Sequence, residues 1–571
     1  MKAKRLLGIL VLGLGTTLAL LIGLQMAQAM PAAANLFVKP TGSGSACTQV
    51  TPCALQTALG QAINGDTLYM AGGTYTGTGE AVITIAKSIT FYGGWDGATN
   101  GPLVRDSAIY TTTLDGENGR RVVYIGEGIT PTLDGLYIIR GASNNSGGGV
   151  YARDTHPIIH DCRVYNNTAA SFGGGIFLES CDNAQLTDNR VYSNTAIDGS
   201  GGGIHLGYSA HARLTGNQVY SNTASNLGGG FSLFSNNNLW LADSRFYSNT
   251  AQSGGGIGFW GGNGVTLTGN LVYTNTADSC GGIYLDCDNA SLVSNQVYDN
   301  KGNGNGGGMC VESSANAILR DNLIHRNTAT SGGGLFIQTS DHATLIGNQI
   351  HSNTARFAGG IYLGYSMDVL LDRNQVYRNT ATADYNTSGG MSVSYSAATL
   401  ANNLIAENQL TNSGNNGAGI WTWQSTLHLL HTTLAGNWGG EGRAVYVGTA
   451  SQVWMTNTIL VNHAVGVYAE SGCTATLEAT LWGIGPWANA AESGGAGSIS
   501  TGTINIRELP GFVDSAAGDY HLDSGSAAVN QGMSTWVTSD IDGDPRIGLP
   551  DIGADEYIRA HIYLPLALRN Y

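Results

Sequence analysis

Charge is scarce in this chain. Only 11% of its 571 residues are Asp, Glu, Lys or Arg, yet the rest is not apolar enough for a membrane protein. Basic residues are the scarcer sign, 25 against 40, which leaves a net charge of −15. Without a basic stripe, nucleic acid and anionic membrane surfaces are poor partners. Proline is rare, at 11 residues. No Cys-x-x-Cys occurs, so the usual spacing of a metal knuckle is missing. Apolar stripes of helical period are nearly absent; residues 54–63 hold the one good amphipathic helix. Long apolar runs are confined to the start. There Lys2, Lys4 and Arg5 precede the run Leu6–Leu24 and the small-residue site Ala27-Gln28-Ala29. Residues 1–29 therefore read as a secretory signal peptide, with an uncleaved anchor as the alternative. No cysteine follows the run, so a lipidated N-terminus is not indicated.

Glycine is abundant instead, at 84 residues, and it is periodic. A glycine run followed by an apolar residue ends at Val150, Ile176, Ile204, Phe231, Ile257, Ile283, Met309, Leu335, Ile361, Met391 and Ile420. The phrase recurs about every 26 residues, within the 20–50 range that marks stacked architectures. Inside each period, short alternating stretches such as Ile204-His205-Leu206 and Gln218-Val219-Tyr220 are bounded by Gly and Asn. Alternation of that length reads as half-buried strands. Three strands and three turns per period describe one coil of a parallel β-helix. The expected fold is all-β, a right-handed single-stranded parallel solenoid of about 12 or more coils, with residues 54–63 as an N-terminal capping helix.

Stacking coils puts like on like. Inward rows are expected through Ile176, Ile204, Ile257 and Ile283, through Leu186, Leu214 and Leu267, and through Val164, Val191, Val219 and Val272. Two Asn rows, one through Asn189, Asn217 and Asn270, the other through Asn194, Asn222 and Asn249, are expected to form amide ladders and to take the αL corner conformation. Domain limits follow: 1–29 signal peptide, 35–125 cap and first irregular coils, 126–507 repeat domain, 508–557 a small C-terminal segment, 558–571 a tail.

The glycine phrase together with Val191-Tyr192-Ser193-Asn194 resembles the repeats of polymorphic outer-membrane proteins. More broadly it resembles bacterial right-handed parallel β-helix proteins of the pectin-lyase-like superfamily. Pro510-Gly511-Phe512, Gly525-Ser526-Ala527 and Asp551-Ile552-Gly553-Ala554-Asp555-Glu556 are similar to a choice-of-anchor domain. The resemblance implies an exported protein, secreted or held at the cell surface or envelope. It does not extend to a membrane barrel, because nothing after residue 465 has the length or alternation for one.

Family members that cleave acidic polysaccharides need paired carboxylates or clustered Asp beside a base. This chain has no Asp-Asp, Asn-Thr-Asp, Gly-His-Gly or Arg-Ile-Lys, so no catalytic residue, metal or cofactor is assigned and enzymatic activity is left open. Asp286 and Glu312 fall on neighbouring coils, with no Lys or Arg expected in register beside Glu179, Asp286 or Glu312. Asp540, Asp542 and Asp544 alternate like calcium ligands, but Pro545 and Asp551 stand where an EF-hand has Gly and Glu; a charged turn paired with Arg546 is the expected reading. Among the eight cysteines, Cys47 and Cys53 should form a disulfide, and the other six should be buried thiols. The candidate ligand site is the outward row Tyr165, Tyr192, Tyr220, Tyr247, Tyr273, Tyr298, His325, His351 and Tyr377, whose ring faces would stack on sugars. The functional expectation is an adhesin-like protein that binds a glycan or another envelope surface. A polysaccharide lyase or hydrolase and a structural matrix component are the rivals.

Overall fold

The computed structural model describes residues 32–412, 414 and 417–558. The expected signal peptide and most of the expected tail lie outside them. Among the described residues no helix is long and apolar enough to cross a membrane. The chain winds through about 17 turns of a parallel β-solenoid. One turn is typical. Ile204–Gly207 forms the first face; Arg213–Thr215 and Gln218–Tyr220 form a bent second face; Thr223–Ala224 forms a short third face. Stacked, these make parallel sheets of 16, 33 and 12 strands.

Register follows the repeat. Val191 pairs with Val219 and Val219 with Phe246, while Ile204 pairs with Ile176 and Phe231. All are buried in one continuous core. The first coils run from Asn35–Val38 through Thr67–Ala71 to Thr90–Trp95. Helix α1, Leu55–Gln61, turns Leu55 and Ala58 onto that core, where an open solenoid end would expose apolar side chains and unpaired strands. Cys47 and Cys53 are joined just before it.

The Asn rows are buried columns. Asn222 donates through Nδ2 to Oδ1 of Asn249 at 3.0 Å and to the carbonyl of Val191 at 2.9 Å; its backbone N–H also reaches Asn249 Oδ1. Each amide thus satisfies groups that a tight corner would otherwise leave unpaired. The expectation that these Asn adopt αL is wrong by one residue. The left-handed backbone falls on the preceding position, as at Ser193, Ser221 and Ser248, with φ of 53–55°. There a small polar residue faces solvent, and the Asn side chain is left free to point inward. In the glycine run, Gly201 takes φ +69°, while a Cβ at Gly202 would lie 2.3 Å from the carbonyl oxygen of Thr223. The first glycine turns the chain and the second lets the next coil approach.

A second disulfide joins Cys280 and Cys310 on adjacent coils, where buried thiols were expected. Cys162, Cys181, Cys287 and Cys473 are buried and free. After the last coils the chain folds back. The segment 508–558 includes a hairpin, Phe512–Asp514 with Asp519–Leu522, and packs on the second face. Tyr520 Oη donates to Glu407 at 2.8 Å and Arg546 to Asn402 at 2.9 Å. The amide of Asn457 donates to the carbonyl of Met533 at 2.7 Å.

Candidate functional site

The nine-residue ladder forms on the second face as a column. Rings of Tyr165, Tyr192, Tyr220 and Tyr247 follow one another at 4.7–4.8 Å, tilted by no more than 6°. Tyr273, Tyr298, His325, His351 and Tyr377 continue it at 4.7–5.1 Å. The geometry alters what the column can do. Rings this close and parallel cover each other's faces, so each half-buried residue offers only an edge and a hydroxyl or ring nitrogen. Burial, then the neighbouring rings of Tyr165 and Tyr220, push the Tyr192 phenol up to about 12, so it remains a donor. Burial, then His325, Arg326 and Arg378, hold His351 down at about 4, neutral near pH 7. Arg326 lies over Tyr298 and pairs with Asp299 at 2.8 Å.

Open ring faces occur on the first face, where the repeat is broken. Gly207, Phe234, Trp260 and Asp286 are register partners on successive coils. Phe234 meets Trp260 at 5.9 Å and 71°, and Tyr208 meets Phe234 at 5.5 Å and 71°. Tilted rings do not bury one another: Trp260 is 59% exposed and Tyr208 55%. The next two coils bring Asp286 and then Glu312, both half-buried. Burial, then Asp288, raises Asp286; burial, then Asp286, raises Glu312. An aromatic ramp therefore leads into two carboxyl groups that hold their protons more readily than solvated ones. Glu179 stands apart, paired with Arg153 at 3.1 Å, a basic partner that had not been expected in register.

Sequence reasoning found Asp286 and Glu312 but missed the ramp. Its only trace is that Phe234 and Trp260 replace the Gly207 of the coil before. Asp540, Asp542 and Asp544 do form a charged turn. Asp540 closes it, accepting from the N–H groups of Asp542 and Asp544. Arg546, however, pairs with Glu556 at 3.0 Å, both nearly fully buried.

The sequence matches the family model described as a right handed beta helix region over residues 97–225, 193–306 and 303–438. No curated protein matches it. Among solved structures, a pectate lyase is similar at 10% identity over 92% of this chain and 97% of that one, with a TM-score of 0.24. A complex of XylC with xylose has 10% identity, 91% and 98% coverage and a TM-score of 0.24. The receptor-binding domain of a siphovirus tailspike has 8% identity, 80% and 73% coverage and a TM-score of 0.16. Likenesses this remote say nothing of what the chain binds or does.

Proposed function

The chain belongs to the right-handed β-helix family, and from that premise we propose that it is an exported or surface-held glycan-binding protein. The binding face is the ramp Tyr208–Phe234–Trp260 with Asp286 and Glu312. The observation that carries this reading is the exposure of the Trp260 and Tyr208 rings beside half-buried carboxyl groups. Sugars are bound by apolar ring faces together with a few placed hydrogen-bonding groups. The acidic pair and the net charge of −15 favour a neutral glycan over an acidic one. The tyrosine column, whose rings cover one another, offers no stacking platform.

A glycan array, followed by calorimetry on the best hit, tests this. Trp260→Ala should weaken binding at least tenfold, about 1.4 kcal/mol, with an unchanged circular dichroism spectrum. Equal binding by the variant rejects the ramp.

The raised carboxyl pair favours a second reading, glycoside hydrolysis, in which one carboxyl group acts as acid and the other as nucleophile or base. Release of reducing ends by the parent protein, abolished in Glu312→Gln, would establish it; a parent that releases none excludes it for that glycan.

A further inference from the structure

Three stretches of the C-terminal segment converge at one point. His521 comes from the strand Asp519–Leu522, Asp542 from the turn closed by Asp540, and Asp555 from the stretch that follows Arg546. One imidazole nitrogen and one carboxylate oxygen from each acid all lie within 4.8 Å of one another. His521 Nε2 is 2.8 Å from Asp542 Oδ2, and its Nδ1 is 2.5 Å from Asp519 Oδ1, a carboxylate behind the ring of the kind that orients a metal-binding imidazole. Asp555 is 8% exposed, and its Oδ2 accepts from the N–H of Leu522 at 2.7 Å, which fixes the carboxylate in the wall. In front of the three is a cavity of about 510 Å³ that Asp523, Asp544 and Glu556 also line. The His521 imidazole, pushed up to about 10 chiefly by its hydrogen bond to Asp542, meets this charge with a proton that a metal ion would replace, since Arg546 is engaged with Glu556 and the carbonyls of Gly553, Ala554 and Asp555.

We infer that His521, Asp542 and Asp555 form a site for a divalent first-row cation, zinc being the best match. The donor set decides the class. Calcium and magnesium take oxygen ligands, whereas an imidazole with two carboxylates suits zinc and its neighbours. Three protein ligands would leave a fourth coordination position for water. The ligands come from parts of the segment up to 34 residues apart, so the unfolded segment holds no such site, and binding favours the folded form. The same segment is tied to the solenoid by Tyr520 and Arg546, so the ion hardens that attachment. This site is separate from the aromatic ramp and independent of the reading given for it.

The test uses the full chain, stripped with a chelator and titrated calorimetrically with zinc chloride, with calcium chloride in a parallel arm. One zinc ion per chain is expected, bound at least tenfold more tightly than calcium, with slower proteolysis within residues 508–558. Asp542→Asn, a partly exposed ligand replaced by its neutral isostere, should weaken zinc binding at least tenfold; His521→Gln should do the same with the solenoid's circular dichroism unchanged. The inference is overturned by a lack of stoichiometric zinc uptake, by tighter binding of calcium, or by both variants binding zinc as the parent does.

Discussion

The two aromatic arrays, Tyr and His in the ladder and Tyr, Phe and Trp in the ramp, share one coil spacing, and they differ in tilt. On the second face, Tyr220 and Tyr247 lie 6° from parallel; on the first, Phe234 and Trp260 cross at 71°. Parallel rings cover one another and stabilise the column. Crossed rings leave faces open to a ligand. The difference comes from what stands in each row. The ladder row holds an aromatic residue in every coil from Tyr165 to Tyr377, so each ring copies the one before. The ramp row runs Gly207, Phe234, Trp260, Asp286, so no ring has like neighbours on both sides. Regularity here belongs to stability, and interruption, on the function proposed above, to recognition.

Four changes set the two arrays apart. The largest effect should come from beneath the ladder. Asn249→Leu leaves the backbone N–H and the side-chain amide of Asn222 without the acceptor at Asn249 Oδ1; at about 1–3 kcal/mol for each buried orphaned donor, urea denaturation should show a loss of about 4 kcal/mol. Next is the column itself. Replacing Tyr192, Tyr220, Tyr247 and Tyr273 together by Ser removes five stacked pairs worth about 0.5–1.5 kcal/mol each, for a loss of about 3 kcal/mol, while the same four positions changed to Phe should retain most of the stability. If the Phe variant loses glycan affinity at constant stability, the hydroxyl edge is a site and the contrast between the arrays weakens. On the ramp, Tyr208→Ala should lower affinity about threefold, less than Trp260→Ala, with stability changed by under about 0.5 kcal/mol.

The smallest effect concerns pH. The His351 imidazole has its folded value near 4 against an ordinary 6.5, so between those values the unfolded chain binds more protons than the folded one. Stability contributed by the neutral ring is therefore complete above pH 6.5, falls as pH drops towards 4, and is fully lost below it. Because the ring is half-buried, solvent screening keeps the effect modest. The slope in urea midpoint over that window, to which the buried His205, His431 and His463 also contribute, should become shallower in the His325→Tyr, His351→Tyr variant, which completes the tyrosine column; a slope unchanged in the variant would place the titration elsewhere.

The fold was legible because the solenoid repeats its solution coil by coil: the Ile204 phase, the Asn222 phase and the Gly202 phase each carry one structural demand, and repetition separates demand from accident. The ladder was legible for the same reason, but its tilt was not, since tilt depends on side-chain packing and not on phase. Tyr208 and Trp260 were not legible because neither residue recurs at the same phase of the adjoining coils. The Cys280–Cys310 bridge was hidden by phase: Cys280 sits in the glycine-run turn and Cys310 in the strand after it, so the pair looked unrelated when coils were aligned. The partner of Arg546 was obscured by chain geometry, because Glu556 returns to it only after the segment doubles back.

That bridge has a mechanical consequence. A chain held at its far end and pulled along the solenoid axis loads its coils in series, and each coil that peels away pays out about 26 residues, roughly 90 Å of extended chain. The bond between Cys280 and Cys310 closes a stretch with a sequence separation of 30 into a loop that cannot lengthen while the bond is intact. Peeling from either end can proceed up to this point, but the covered coil yields no slack. In the force–extension record of a single molecule, one step of that length should be missing, and should return when the protein is pulled in a reducing buffer.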